Sequence, residues 1–200
     1  MLNYSGYNYI VSLFSGLKLC DNSTEAILLI NKIILNRSVR MIRNIETKDI
    51  PQILDIYNYY IKNTTITFEE ESVTELEMGI RVDEYIRNFP WLVFEENNEI
   101  LGYCYATKWR VRSAYKHSAE VTVYVSKDNH GKGIGTLLYK ELIKQCKEKD
   151  MHVLVAGIAL PNDKSQKLHE KMGFRKIAHF EEIGKKFDQW IDVGYWEYKL

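Results

Sequence analysis

The sequence predicts a layered α+β domain with a mixed sheet, and three observations carry that expectation. The chain holds 200 residues, 46% of them apolar and 27% charged, enough for one folded domain with a sizeable core. The hydrophobic period switches along the chain. Val121, Val123 and Val125 alternate with Glu120, Thr122 and Tyr124, whereas Ile134, Leu138, Leu142 and Cys146 share one helical face with Leu137 beside them. The resulting order is strand, two helices, three strands, helix, strand, helix, two strands.

Taken in order, residues 41–46 alternate around Ile42 and Ile45 and read as a short first strand. Thr47, ahead of Lys48 and Asp49, is the expected N-cap of a first helix. That helix carries Ile50, Ile53, Leu54, Tyr57 and Ile61 at helical spacing and ends near Asn63. Residues 64–68 are β-branched or aromatic and suit a short extended segment. Ser72 or Thr74 caps a second helix through Met78, Val82 and Ile86 towards Phe89, where Pro90 ends it. Residues 91–95 and 100–107 read as antiparallel strands joined by the polar turn Glu96, Asn97, Asn98 and Glu99. A strong strand at 118–126 and a loop at 127–133 precede the helix that begins near Ile134. Residues 151–160 read as a buried strand broken at 161–163, and 164–172 as a helix stopped by Gly173 in the C′ position. The tail, 174–200, reads as two long strands joined near 185–189.

Net charge is zero, from 27 basic and 27 acidic residues, which argues against a nucleic-acid partner. Cys20, Cys104 and Cys146 have no metal-ligand or redox spacing, so reduced thiols in a cytoplasmic protein without a metal are expected. Residues 1–40 stand apart from a domain at 41–200. Their apolar runs, 9–14 and 26–35, are too short to span a bilayer, and the first lysine, Lys18, follows the first run instead of preceding it as in a secretory signal. No membrane association is expected. Met41 opens a stretch that reads as a natural start. Either translation begins there or residues 1–40 are an extension packed on the domain, and intact-mass analysis of protein from the native host separates the two.

A glycine loop carries the first chemical signal: His130, Gly131, Lys132, Gly133, Ile134, Gly135 and Thr136 join a strong strand to a strong helix. Such a junction gathers unpaired backbone N–H groups at a helix N-terminus, and glycines let a bulky anion approach them. Lys132 and His130 add side-chain contacts. Read from Gly131, the dinucleotide pattern fails because Thr136 stands where its last glycine belongs. The Walker pattern fails because no Gly-Lys-Ser or Gly-Lys-Thr occurs. On these residues alone, a plain tight loop is the alternative.

The loop resembles the pyrophosphate motif of GNAT acetyltransferases, Q/R-x-x-G-x-G/A, with Gly133 and Gly135 in place and His130 where Gln or Arg is usual. A second family motif is matched by Asn162, Ser165, Leu168, His169 and Glu170 ahead of Gly173 and Phe174. Four segments resemble the phosphinothricin acetyltransferase group within that superfamily: 90–93, 109–115, 120–125 and 190–196. The resemblance covers about 41–200. It implies a GNAT-like fold, a central mixed and mostly antiparallel sheet with helices on both faces, and acetyl-CoA as co-substrate. It also implies that the strands at 120–126 and 151–160 splay into a V. Pantetheine would lie in the gap against Val123, Tyr124 and Val125, the pyrophosphate on residues 131–136, and Asn162 and Ser165 along the pantetheine arm. A small amino acid or analogue, of the phosphinothricin, methionine sulfone or methionine sulfoximine type, is the implied amine, and a homodimer through the tail strands the implied assembly.

Amide formation from a thioester needs a neutral amine. An α-amino group of pKa about 7.7–8.0 is mostly protonated at neutral pH, so a base must act. Glu120 is the candidate, at a position where the resembling enzymes carry a glutamate; an ordinary solvent-facing strand residue is the alternative. A backbone N–H near Val125 suits the developing oxyanion. His169 stands where many GNAT enzymes have a tyrosine, either as proton donor to the leaving thiolate or as a packing residue beside the cofactor. Arg112, or Arg110 in its place, suits a substrate carboxylate. Tyr115 would orient it, with Phe68, Trp109 or Trp196 as walls. Two other readings are acetylation of a peptide or protein amine, which needs an open groove, and a non-enzymatic acyl-CoA-sensing module, which would not need Glu120.

Overall fold

The structure, a computed structural model, describes residues 39–200; the expectations for 1–38, with Cys20 and both apolar runs, lie outside the described residues. Seven strands form one sheet in the order β1-β2-β3-β4-β5-β7-β6. They are β1 (Arg40–Asn44), β2 (Trp91–Glu96), β3 (Glu99–Lys108), β4 (Ser118–Val125), β5 (Val153–Leu160), β6 (Arg175–Lys186) and β7 (Gln189–Lys199). Only β4 and β5 run parallel. The helices are α1 (Ile50–Asn63), α2 (Glu75–Tyr85), α3 (Ile134–Glu148) and α4 (Asp163–Lys171). This is the expected α+β order, with a mixed and mostly antiparallel sheet.

Strand alternation sorts the core into two layers. Leu92, Cys104, Val121, Leu154 and Trp196 meet Ile134, Leu138, Tyr139 and Leu142 of α3. Trp91, Val93, Tyr103 and Tyr124 meet Ile53, Tyr57 and Ile61 of α1 and Met78 and Val82 of α2. The helices therefore cover both faces. Each fully buried large apolar side chain contributes about 1.5–3 kcal/mol. Leu137 departs from the expectation: at 46% exposed it lies off the buried stripe of α3.

Several local signals can be traced. Asn97 (φ 55) and Asn98 (φ 66) are both left-handed, which suits a two-residue hairpin turn. Thr74 caps α2, its Oγ1 accepting from the Glu77 N–H at 3.2 Å while Glu77 accepts from the Thr74 N–H at 2.9 Å. α4 ends in a Schellman arrangement: Gly173 (φ 93) donates to Glu170 O and Phe174 donates to His169 O, both at 3.0 Å.

Two expectations are corrected. Thr47 is not a helix cap. Glu46 caps a 3-10 turn, Thr47–Asp49, that precedes α1. Asp49 closes that turn's capping box, and its 1% exposed carboxylate takes Arg43 at 2.6 and 2.8 Å. Burial pushes this carboxyl up, but the Arg43 and Glu46 hydrogen bonds outweigh it and hold the group below its usual range. Residues 64–68 form no strand, because no sheet edge pairs with them. Side-chain bonds shape the segment instead, among them Thr64 Oγ1 donating to Tyr60 O at 2.8 Å.

Candidate functional site

β4 and β5 pair only over Ser118–Glu120 against Val153–Val155. Beyond that point β4 continues along β3 as far as Val125, and β5 continues along β7 as far as Leu160. The two strands therefore separate, and their facing edges carry unpaired backbone donors and acceptors.

A cleft of about 550 Å³ runs along the free edge of β4. Val123, Tyr124 and Val125 form one wall, His130, Gly131, Gly133, Ile134, Gly135 and Thr136 its end, and Asn162, Ser165 and three lysines of α4 the other wall. Of the residues expected at the cofactor, only Lys132 does not line it; its ammonium is held by Asn129 Oδ1 at 2.7 Å. Gly131 (φ 76) and Gly133 (φ 82) adopt left-handed backbone with open space around them, so conformation and not crowding requires glycine there. Leu137 is the first α3 residue bonded back to the cap, Gly133 O at 3.1 Å, which leaves the N–H groups of Ile134, Gly135 and Thr136 for an anion. At Gly135 the reason is crowding: a Cβ would lie 3.1 Å from Leu168 Cδ2 of α4.

His130 belongs to a small polar knot. The Tyr60 hydroxyl donates to Val125 O at 2.5 Å and lies 2.6 Å from His130 Nε2. Burial pushes the Tyr60 phenol up to about 12, so it stays protonated and its single proton goes to the carbonyl. His130 Nε2 must then carry the hydrogen that faces the Tyr60 oxygen. On α4, Asn162 Oδ1 accepts the Ser165 N–H at 3.2 Å as the helix cap.

Glu120 sits where the strands part, opposite Thr107 on β3 and Val155 on β5. Burial raises its carboxyl above the usual range, partly offset by the charge of Arg110. Gly157 on β5 keeps the space beside it open: a Cβ there would lie 3.6 Å from Glu120 Oε1 and 3.3 Å from the Tyr195 ring. Tyr85, Tyr105 and Tyr195 all lie within electrostatic reach of Glu120; burial is the main cause that raises each phenol, and the Glu120 charge comes second only at Tyr195, so all three remain hydroxyl donors. The Trp109 ring meets Tyr195 edge-on at 5.6 Å and carries the Arg110 guanidinium at 4.2 Å.

The remaining expected residues are more dispersed. Arg112 is exposed and precedes the 3-10 turn Ser113–Tyr115, and Tyr115 is exposed on it. Phe68 is half-exposed with its ring against the backbone of Gly184. Trp196 is not a pocket wall, because its ring is fully buried in the α3-side core. His169 is 3% exposed and does not line the cleft. Its Nδ1–H donates to Ser165 O at 2.7 Å, so Nε2 accepts from the Tyr139 hydroxyl at 2.8 Å. Burial lowers its pKa and keeps it neutral, the arrangement of a packing histidine. Sequence reasoning missed Tyr85, Tyr105, Gly157 and Tyr195. Tyr195 stands inside the tail segment already singled out; nothing local distinguishes the others. Among the described residues, no group of three or more His, Cys, Asp or Glu side chains is placed to hold a metal ion.

Chemically, one arm of the opening presents backbone donors to an elongated anionic ligand, and the fork presents a carboxylate with raised proton affinity. Comparison with known proteins gives the family. The profile of the acetyltransferase (GNAT) domain matches residues 42–194. A phosphinothricin N-acetyltransferase of Streptomyces coelicolor is 37% identical over 157 residues, 76% of this chain and 92% of the relative. An L-methionine sulfoximine/L-methionine sulfone acetyltransferase of Salmonella typhimurium is 31% identical over 160 residues, 80% of this chain and 94% of the relative. Among solved structures, a phosphinothricin acetyltransferase from Sinorhizobium meliloti in complex with AcCoA is 30% identical with a TM-score of 0.78, covering 80% of this chain and 88% of that one.

Proposed function

The chain belongs to the GNAT acetyltransferase family and uses acetyl-CoA as co-substrate, and from that premise we propose that it acetylates the α-amine of a small amino acid or analogue. Phosphinothricin, methionine sulfone and methionine sulfoximine are the acceptors that its relatives' names suggest. The observation that carries this reading is Glu120, a carboxyl of raised proton affinity at the fork between β4 and β5.

Acetyl-CoA supplies an activated acyl carbon as a thioester. Glu120 takes the proton of the acceptor ammonium, directly or through a water, which frees the nitrogen lone pair. Its raised pKa brings it nearer to that of the amine than an exposed glutamate would be. As the C–N bond forms, a backbone N–H near Val125 on the free edge of β4 stabilises charge on the acyl oxygen. The C–S bond then breaks and the thiolate takes a proton. His169 does not supply it, since both ring nitrogens are engaged in the core. It holds α4, and through it Asn162 and Ser165, against the cleft.

On the cofactor side, Val123, Tyr124, Val125, His130, Gly131, Gly133, Ile134, Gly135, Thr136, Asn162 and Ser165 form the binding surface, and Lys132 contributes charge near the loop without lining it. On the acceptor side, Arg110 stacked on Trp109 is the better partner for a carboxylate, because its charge is the one felt at Glu120. Arg112 and Tyr115 form the outer rim, and Phe68 a wall. The protein is read as a cytoplasmic enzyme, consistent with the free buried thiols of Cys104 and Cys146. Ile177, Phe180, Ile183, Phe187 and Trp190, all exposed on the β6–β7 hairpin, support a homodimer through the tail.

The test is release of free thiol from acetyl-CoA across a panel of phosphinothricin, methionine sulfone, methionine sulfoximine, common amino acids and one peptide. Release with an amino-acid analogue, lost in Glu120→Gln, is expected. Release with the peptide alone would overturn the acceptor class. Tight acetyl-CoA binding with no release from any amine would favour the sensing module.

A further inference from the structure

Lys186 is the only buried lysine among the described residues, at 1% exposed. It ends β6, just before a turn whose Phe187 (φ 50) and Asp188 (φ 58) are both left-handed. Its Nζ donates to the main-chain oxygen of Thr67 at 2.8 Å, with the Phe187 ring 5.1 Å away. Among the described residues no carboxylate forms an ion pair with it, although Glu69 and Glu70 are near enough to be felt. A buried ammonium with one neutral acceptor is costly, and an apolar side chain would fill the same space at lower cost. The proposed acetyl transfer makes no use of this lysine.

Thr67 belongs to the irregular segment between α1 and α2, and that segment is gripped on both sides. On one side Tyr57 of α1 meets Thr67 Oγ1 at 3.1 Å and donates to Glu69 at 2.9 Å, while Arg81 of α2 bonds Glu69 at 2.6 and 3.3 Å. On the other side are the tail hairpin's Lys186 and the bare backbone of Gly184, where a Cβ would overlap the Phe68 ring. α1 and α2 rest on the β1–β4 arm of the sheet, whereas the hairpin continues the β5 arm. Among the described residues the only strand pairing between the arms themselves is the short run at Ser118–Glu120. Residues 66–69 therefore strap one arm to the other. Ile66 on this strap lines the cofactor cleft, and Tyr85 lies within electrostatic reach of both Glu69 on the strap and Glu120 at the fork.

We propose that Lys186 is a positioning residue for the acceptor: by holding Thr67 O it fixes the strap, with Ile66 and Phe68, across the opening between the arms and sets the space in front of Glu120. The link to the acceptor rests on the acetyltransferase reading; the strap itself does not. Removing the ammonium leaves the strap tied to α1 and α2 alone. The acceptor side should then loosen while the glycine loop, at the end of the cleft, keeps its grip on acetyl-CoA.

The experiment compares the full-length protein with Lys186→Met and Lys186→Arg by amide hydrogen exchange and by steady-state kinetics in both substrates. In Lys186→Met, amides of residues 66–71 should exchange faster while those of α3 are unchanged. The KM for the amino-acid acceptor should rise about tenfold, the loss expected for one charge-assisted hydrogen bond, with the KM for acetyl-CoA unchanged. Lys186→Arg, which keeps a cationic donor, should recover part of both effects. If Lys186→Met does not fold, Tyr57→Phe loosens the opposite anchor and should give the same pattern. Unchanged exchange at 66–71, or a parallel rise in both KM values with faster exchange throughout, would overturn the proposal. Exchange reads the strap whichever amine is the acceptor, so a wrong acceptor class and a wrong role for Lys186 give different results.

Discussion

The two ends of the opening between β4 and β5 are built from different materials. The end proposed for the cofactor is mostly backbone: the free edge of β4, the left-handed glycines 131 and 133 and the first N–H groups of α3. The end proposed for the acceptor is mostly side chains, with Tyr85, Tyr105, Arg110, Glu120 and Tyr195 arriving from separate parts of the chain. Backbone donors are fixed by conformation, so such a site depends on a few glycines and tolerates change elsewhere. A side-chain site can be retuned one residue at a time, which is how one fold serves many amines.

The largest expected effect breaks the acceptor end alone. Glu120→Gln should lower turnover about 10²–10⁴-fold while acetyl-CoA binding, read by calorimetry, is unchanged. The same variant should melt higher at neutral pH. Burial raises the folded-state carboxyl, so the folded protein binds the proton more tightly than the unfolded chain. Stability from this group is full below the unfolded pKa, about 4.3, and is lost as pH rises through the folded value; glutamine removes that loss. A melting temperature that fails to rise would mean the carboxylate is better solvated than its burial indicates.

His169→Ala comes next and acts on the cofactor side as a fold defect. It should cost about 3 kcal/mol of stability in denaturant titration, from the cavity and from the bonds lost to Tyr139 and Ser165. Turnover at a temperature where the variant stays folded should persist, and a loss there comparable to Glu120→Gln would restore the proton-donor role. The pH dependence has the opposite sign to that of Glu120. Burial lowers the folded pKa of His169, so its contribution is full above the unfolded value, about 6.5, and falls away as pH drops through the folded value.

Arg110→Met should raise the acceptor KM about tenfold or more through loss of a charged hydrogen bond, with Arg112→Met giving less. The reverse ranking would move the carboxylate site out to the rim. The smallest effect sharpens the backbone side. Gly133→Ala forces a Cβ into left-handed backbone at a cost of about 1–2 kcal/mol, so acetyl-CoA should bind about tenfold more weakly with the acceptor KM unchanged.

Much of the cofactor end was legible in the sequence because its parts are contiguous: a strand, a glycine loop and a helix within residues 118–148. Gly173 as a helix stop and the order of all eleven elements were legible for the same reason. Where local reasoning erred, a tertiary partner had intervened. Asp49 was taken up by Arg43 of β1, which moved the cap from Thr47 to Glu46. Residues 64–68 have strand-forming side chains but no edge to join, and are spent on Tyr57, Gly184 and Lys186. For His169 the sequence left a proton donor and a packing residue both open, and enclosure by Tyr139 and Phe174 favours the second.

The sequence by itself determined the order of the helices and strands and the place of the glycine loop, since periodicity, caps and glycine conformation act over a few neighbouring residues. Only the tertiary structure decided where β4 and β5 cease to pair, that Tyr195 and Arg110 rather than Trp196 face the region of Glu120, and that Lys186 is buried against Thr67. Those outcomes depend on strand register and on packing between segments far apart in the chain, where shifting a strand by one residue turns every side chain to the other face.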